Sequence, residues 1–265
     1  MEAFRDGLIT IVRADPPMTV RQVFYQAVSQ GLIEKTEQGY SKVQVALRHL
    51  RVDGELDYSN IVDNSRAISL DGGYSSPGAA IAGVVHHYKR DFWQGRDDRP
   101  VIYVEKDALA GVIGPITERW GVPLAVSRGD ASLSFLHTLA TRFLNYDSTL
   151  YMFTDSDGKG DQMFDILTED LPKHHDCDAT VVRAALTRDQ IHRYHLPTRP
   201  AKPGDPFKTA VELDALPKAR LQQLVADCIK RHVDAAEWTQ HLEAEEADRD
   251  QLRRLAKRYH NRKEA

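Results

Sequence analysis

The spacing of apolar residues changes character about a third of the way along the chain. Up to about residue 95 it follows the helical period. Helices are predicted over residues 2–13, 19–29, 41–53 and 79–93, with one alternating stretch, Glu55-Leu-Asp-Tyr-Ser-Asn-Ile61, that reads as a strand. Beyond it, short β-rich runs alternate with helical ones. Strands are expected within the stretch 99–106, which stops on Glu105, and at 123–127, 150–154 and 179–185, and helices at 107–120, 133–144 and 161–171. A Pro- and Lys-rich loop follows at 198–208, then two closing helices at 211–233 and 235–262. The alternation predicts an α/β fold with a largely parallel sheet, preceded by a mostly helical amino-terminal domain. The division falls at a polar linker, 94–98, giving domains at 1–95 and 96–265.

Within the amino-terminal part, Thr19 and Gln22 form a Thr-x-x-Gln capping box that starts the second helix. Val20, Val23, Phe24, Ala27 and Val28 share its apolar face, and Arg21, Gln22, Tyr25 and Ser29 fall on or near the other. Tyr25 is therefore expected on the polar side, with Arg21 one turn before it. A core aromatic is the plainer reading of a helical tyrosine. The alternative is chemical: a phenol, with a free pKa of about 10, becomes a nucleophile when a guanidinium or metal ion stabilises its anion. The third helix buries Val43, Ala46, Leu47 and Leu50 and presents Gln44, Arg48 and Arg51 outward. That is the layout of a DNA-recognition helix, or of a solvated charged face.

Two strands end in acid. Val101-Ile-Tyr-Val104 runs into Glu105-Lys106, and Leu150-Tyr-Met-Phe-Thr154 runs into Asp155-Ser-Asp157-Gly-Lys-Gly160. Carboxyl ends of parallel strands are where open α/β sheets place chemistry, and three carboxylates gathered there are the hard oxygen ligands that magnesium takes. A calcium loop fails, because its twelfth position from Asp155 is Ile166 rather than Glu. A P-loop fails too, since GxxxxGK[ST] is absent.

Composition narrows the classes. With 42% hydrophobic and 28% charged residues, no apolar run of membrane-spanning length and an opening segment unlike a signal peptide, a cytoplasmic globular protein is expected. The two cysteines, Cys177 and Cys228, make no CxxC pair, so neither a zinc ribbon nor a disulfide framework is indicated. The adjacent pairs His86-His87 and His174-His175 point apart on a helix and read as surface residues. A net charge of −4, and six basic against six acidic residues over 19–66, require any DNA contact to come from local arginines.

Taken together, Arg21-Gln-Val-Phe24-Tyr25, Val104-Glu105-Lys106 and Asp155-Ser-Asp157-x-x-Gly160 resemble, in order and spacing, the motifs of the topoisomerase VI A subunit and its meiotic relative, the double-strand-break transesterase. Ile61-Val-Asp63-Asn-Ser-Arg66, Ser127-Arg-Gly129 and Val211-Glu-Leu-Asp-Ala-Leu216 support the resemblance, which covers residues 15–235 and is nearest the compact, stand-alone mini-A relatives. One departure is Gly158, where the family usually has Pro. The resemblance implies a winged-helix domain carrying the tyrosine, with residues 55–61 as the wing, and a Toprim domain carrying the carboxylates. It implies Tyr25 as nucleophile, Arg21 as its electrostatic partner, and one or two Mg2+ ions held by Glu105, Asp155 and Asp157. Arg48, Arg51, Lys106 and Arg128 become candidate DNA contacts. It further implies duplex DNA as substrate, a nucleoid-associated homodimer in which Tyr25 of one subunit meets the Toprim site of the other, and a separate ATPase subunit for strand passage. Two rivals are carried forward: a hydrolytic Toprim nuclease with water as nucleophile, and a non-catalytic winged-helix DNA-binding protein.

Overall fold

The computed structural model describes residues 2–63, 73–129 and 131–261. Residues 64–66 of the Ile61–Arg66 match, residues 67–72, which read as the start of a loop, and Asp130, in the stretch that reads as a turn into the helix at 133, lie outside them. The contacts divide the chain into two compact units, 1–66 with 97–229, and 67–96 with 230–265. This differs from a division at 95/96, because the segment before the linker groups with the last helix.

The first unit opens with α1 (Glu2–Ala14), α2 (Val20–Ser29) and α3 (Glu37–Val52). The Thr19–Gln22 capping box is present on both sides of its reciprocal bond. α3 starts four residues before the expected Ser41, because Thr36 caps it through the Gly39 N–H. Residues 55–61 do not form the expected wing strand. Leu56 buries itself, Tyr58–Asn60 is a single 3-10 turn, and Ile61 makes one isolated bridge to Met18.

Four parallel strands follow: β1 (Val101–Val104), β2 (Leu124–Val126), β3 (Thr149–Phe153) and β4 (Thr180–Ala185), in the order β2-β1-β3-β4. β1 and β3 are the central pair and are buried almost throughout, as strands covered on both faces must be. α5 (Ala110–Trp120) links β1 to β2, α6 (Leu133–Phe143) links β2 to β3, and α7 (Gly158–His175) links β3 to β4. Tyr103, Leu150 and Met152 pack with Leu136, Leu139, Met163 and Leu167, so α6 and α7 cover one face together. The chain leaves β1 in one direction along the sheet and β3 in the other. The gap between their carboxyl ends is therefore a topological switch point, where open α/β sheets bind ligands.

After β4 come α8 (Arg188–Arg193), which the hydrophobic pattern gave no sign of, and a two-residue hairpin, β5 (Arg199–Pro200) with β6 (Thr209–Ala210). The helix expected from 211 begins only with α9 (Lys218–Lys230). Pro217 bars the preceding residue from helical geometry, and Leu216 is extended at ψ 132°.

In the second unit α4 (Pro77–His87) packs with α10 (Ala235–Asn261). α4 stops short of the expected residue 93. The Arg90 N–H turns to Glu245, and Phe92 packs edge-on against Trp93 and Trp238. His86, His87 and His174 are exposed as expected, whereas His175 is half-buried with both ring nitrogens out of solvent. No helix among the described residues is long and apolar enough to cross a membrane.

Candidate functional site

The register of the two central strands assembles the site. Val104 pairs with Phe153, so Glu105 is the first residue past β1, its N–H donating to the Phe153 carbonyl at 3.3 Å. Asp155 lies two residues past β3. Asp157 caps α7, its Oδ1 accepting the Gly160 N–H at 2.9 Å. A β-carbon at Gly160 would stand 2.2 Å from the Asp155 carbonyl oxygen, so the loop closes only around glycine. Gly158, where the resemblance expects proline, donates its N–H to Asp205 at 3.0 Å, a bond proline cannot make.

A third acidic segment joins from far along the sequence. Ser156 and Val211 exchange both backbone hydrogen bonds, at 2.8 and 3.1 Å, and the Leu213 N–H donates to Asp155 Oδ1 at 2.8 Å. This lays Glu212 and Asp214 against the Asp155 loop. Neither was singled out from sequence, because 211–233 read as one helix. The available signal was the alternation of carboxylates with apolar residues in Val211-Glu-Leu-Asp-Ala-Leu216, followed by Pro217.

Arg21 and Tyr25 of α2 reach the same place. Arg21 donates to Glu212 and lies 3.5 Å from Asp214. Tyr25 is 3% exposed, contrary to the polar-side expectation. Both Phe24 and Tyr25 are buried, because α2 is covered on two sides, by α3 and by the segment 211–216. The Tyr25 hydroxyl and the Glu212 carboxylate line the same cavity and influence each other. Burial and the Glu212 anion push the phenol far above its ordinary value. Glu212 is penalised by burial, but the cations around it and Tyr25 hold it well below the carboxylate range.

Lys106 sits inside this network rather than facing solvent. Its Nζ lies 2.8 Å from Asp155, 2.7 Å from Asp214 and 3.3 Å from Glu212, so it is an internal counter-ion and not a free DNA contact. Arg199 bridges Asp157 and Glu212, at 3.3 Å to each. Asp214 Oδ1 is buried with no hydrogen-bond partner among the described residues. Of the other candidate DNA contacts, Arg48 is exposed on α3, and Arg51 is half-buried, bonding the Leu47 carbonyl and stacking on Tyr58. Arg128 is exposed, in a left-handed turn, 3.3 Å from Asp107.

Tyr25, Arg21, Glu105, Asp155, Asp157 and Glu212 thus line one cavity of about 540 Å³. All belong to a single chain. No family model matches this chain, and no curated protein matches it.

The donor chemistry suits a divalent cation. Glu105 takes no side-chain hydrogen bond among the described residues, and burial together with the Asp155 charge raises its pKa, the signature of a carboxylate short of positive charge. Against this, Lys106 already serves Asp155, and no three such donors among the described residues converge on one metal position.

Proposed function

We propose that this pocket cleaves duplex DNA by magnesium-dependent tyrosine transesterification, in the manner of a topoisomerase VI A-type enzyme built from winged-helix and Toprim domains. The observation that carries the reading is the gathering of Tyr25 and Arg21 with Glu105, Asp155 and Asp157 around one cavity at the switch point of a parallel sheet. A tyrosine and three carboxylates lining one cavity have little structural use, since burying that much charge is costly.

In this reading the Tyr25 oxygen bonds to a backbone phosphorus and the bond to the 3′-oxygen breaks. The products are a 5′-phosphotyrosyl link and a free 3′-hydroxyl. Glu212, which shares the cavity with the phenol and acts on its titration, is the group assigned to take its proton. Glu212 is a weak base while Arg21 and Lys106 hold it. It becomes a stronger one as Arg21 turns to the phosphate, where the guanidinium offsets developing charge. Magnesium held by Glu105, Asp155 and Asp157 would neutralise charge on the phosphate and the leaving oxygen. A homodimer would bring one such pocket to each strand, and strand passage would require a separate ATPase subunit.

One observation favours the hydrolytic rival. A buried phenol under the influence of a carboxylate is held protonated, which suits a site whose nucleophile is water. Mapping the ends of cleaved DNA separates the two: protein-blocked 5′ ends are expected, and free 5′-phosphates would establish the nuclease.

A further inference from the structure

Three cations of the site are already committed to carboxylates: Arg21 to Glu212 and Asp214, Lys106 to Asp155, Glu212 and Asp214, and Arg199 to Asp157 and Glu212. Lys35 is different. It lines the same cavity from the connection between α2 and α3 and is half-buried. Its ammonium donates to the Pro197 carbonyl at 3.1 Å and lies 5.1 Å from the centroid of the Tyr25 ring. Among the described residues it has no carboxylate partner. Lys202 also lines the cavity but is exposed, so its charge is carried by water.

A half-buried ammonium with no counter-ion is costly, and one stacked on the face of a proposed nucleophile is placed to meet an incoming anion. We infer that Lys35 is a further substrate-binding residue: its ammonium anchors a DNA backbone phosphate beside the Tyr25 ring. This rests on the reading of the pocket as a DNA-cleaving site. Burial lowers Lys35 to about 8, against the attraction of Glu212 and Asp155 and with the repulsion of Arg199 and Lys106; Glu37 and Lys202 face the same cavity. A phosphate binds the protonated form, so affinity falls as pH rises through that value.

The test is non-covalent binding of a short fluorescent duplex to the Tyr25→Phe protein without magnesium, read by anisotropy one unit either side of pH 8. In that background Lys35→Met should weaken binding at the lower pH by roughly tenfold and make the salt dependence shallower by about one phosphate contact. Lys35→Arg should bind at both pH values, because its charge does not titrate there. Lys173→Met, an exposed change elsewhere, should match the parent. Thermal melts confirm that each variant is folded. Binding, salt slope and pH dependence unchanged in Lys35→Met would overturn the inference while leaving the cleavage reading intact. Lys35-dependent binding without any covalent adduct from the wild type would remove the nucleophile and keep the anchor. A parent that binds no DNA would overturn both.

Discussion

At the scale of single residues, the site is a negotiation between buried charges. At Glu105, burial and the Asp155 charge outweigh the attraction of Lys106 and Lys159, and its raised pKa means that ionising it opposes folding at neutral pH. Glu105→Gln should therefore stabilise the metal-free protein in melts with chelator present. Magnesium should raise the melting temperature of the wild type but not of this variant. Glu212 carries the opposite sign. Its folded pKa lies below the unfolded value of about 4.3, so its contribution is present above that pH and is lost as pH falls below it. Acid unfolding should be steeper in the wild type than in Glu212→Gln, and equal slopes would mean that the Arg21–Glu212–Lys106 cluster contributes nothing. Lys106→Met, which strands three carboxylates, should cost about 3–5 kcal/mol by chemical denaturation. Much of this was legible in the sequence: Glu105, Asp155 and Asp157 announce themselves by ending β-rich runs. Tyr25 was legible as chemistry but not in its burial. A helical wheel assigns one apolar face, and it is blind to a second element arriving from residues 211–216.

At the scale of elements, what positions the site is local and partly redundant. α2 presents Arg21 and Tyr25 one turn apart, and its start is fixed by the Thr19–Gln22 box, both halves of which were readable from residue types alone. Thr19→Ala should cost about 1 kcal/mol in equilibrium unfolding. The loop after β3 is less forgiving. Gly160→Ala drives a methyl group into the Asp155 carbonyl, and the expected loss is about 2–4 kcal/mol together with loss of magnesium response. A variant as stable as the wild type would show that the loop opens more easily than its packing implies. The expectations that failed did so for one kind of reason. Residues 55–61 alternate like a strand but pair with no strand among the described residues, and 211–216 looked helical while its backbone was needed by Ser156 and Asp155. Period is a local property, whereas pairing is decided by what the rest of the chain brings alongside.

At the scale of the whole molecule, the compact units cut across the linear reading. Residues 67–96 group with 230–265, while the amino-terminal helices group with the sheet. No sequence window could report that α4 and α10, separated by the entire α/β region, belong together. Within the first unit, the tyrosine and the carboxylates of one chain line one cavity, and we propose that the site is completed there rather than shared between two subunits. Mixing Tyr25→Phe with Glu105→Gln protein should therefore restore no covalent adduct, and restoration would place the completed site across two chains. The central claim concerns the chemistry itself, and one measurement reaches it most directly. End-labelled duplex DNA is incubated with the protein and magnesium, quenched with detergent and resolved on a denaturing gel. The account predicts label linked to protein through a 5′ end, dependent on magnesium and absent from Tyr25→Phe and Glu105→Gln. Cleavage that persists in Tyr25→Phe, with free 5′-phosphate ends and no protein-linked label, would contradict it.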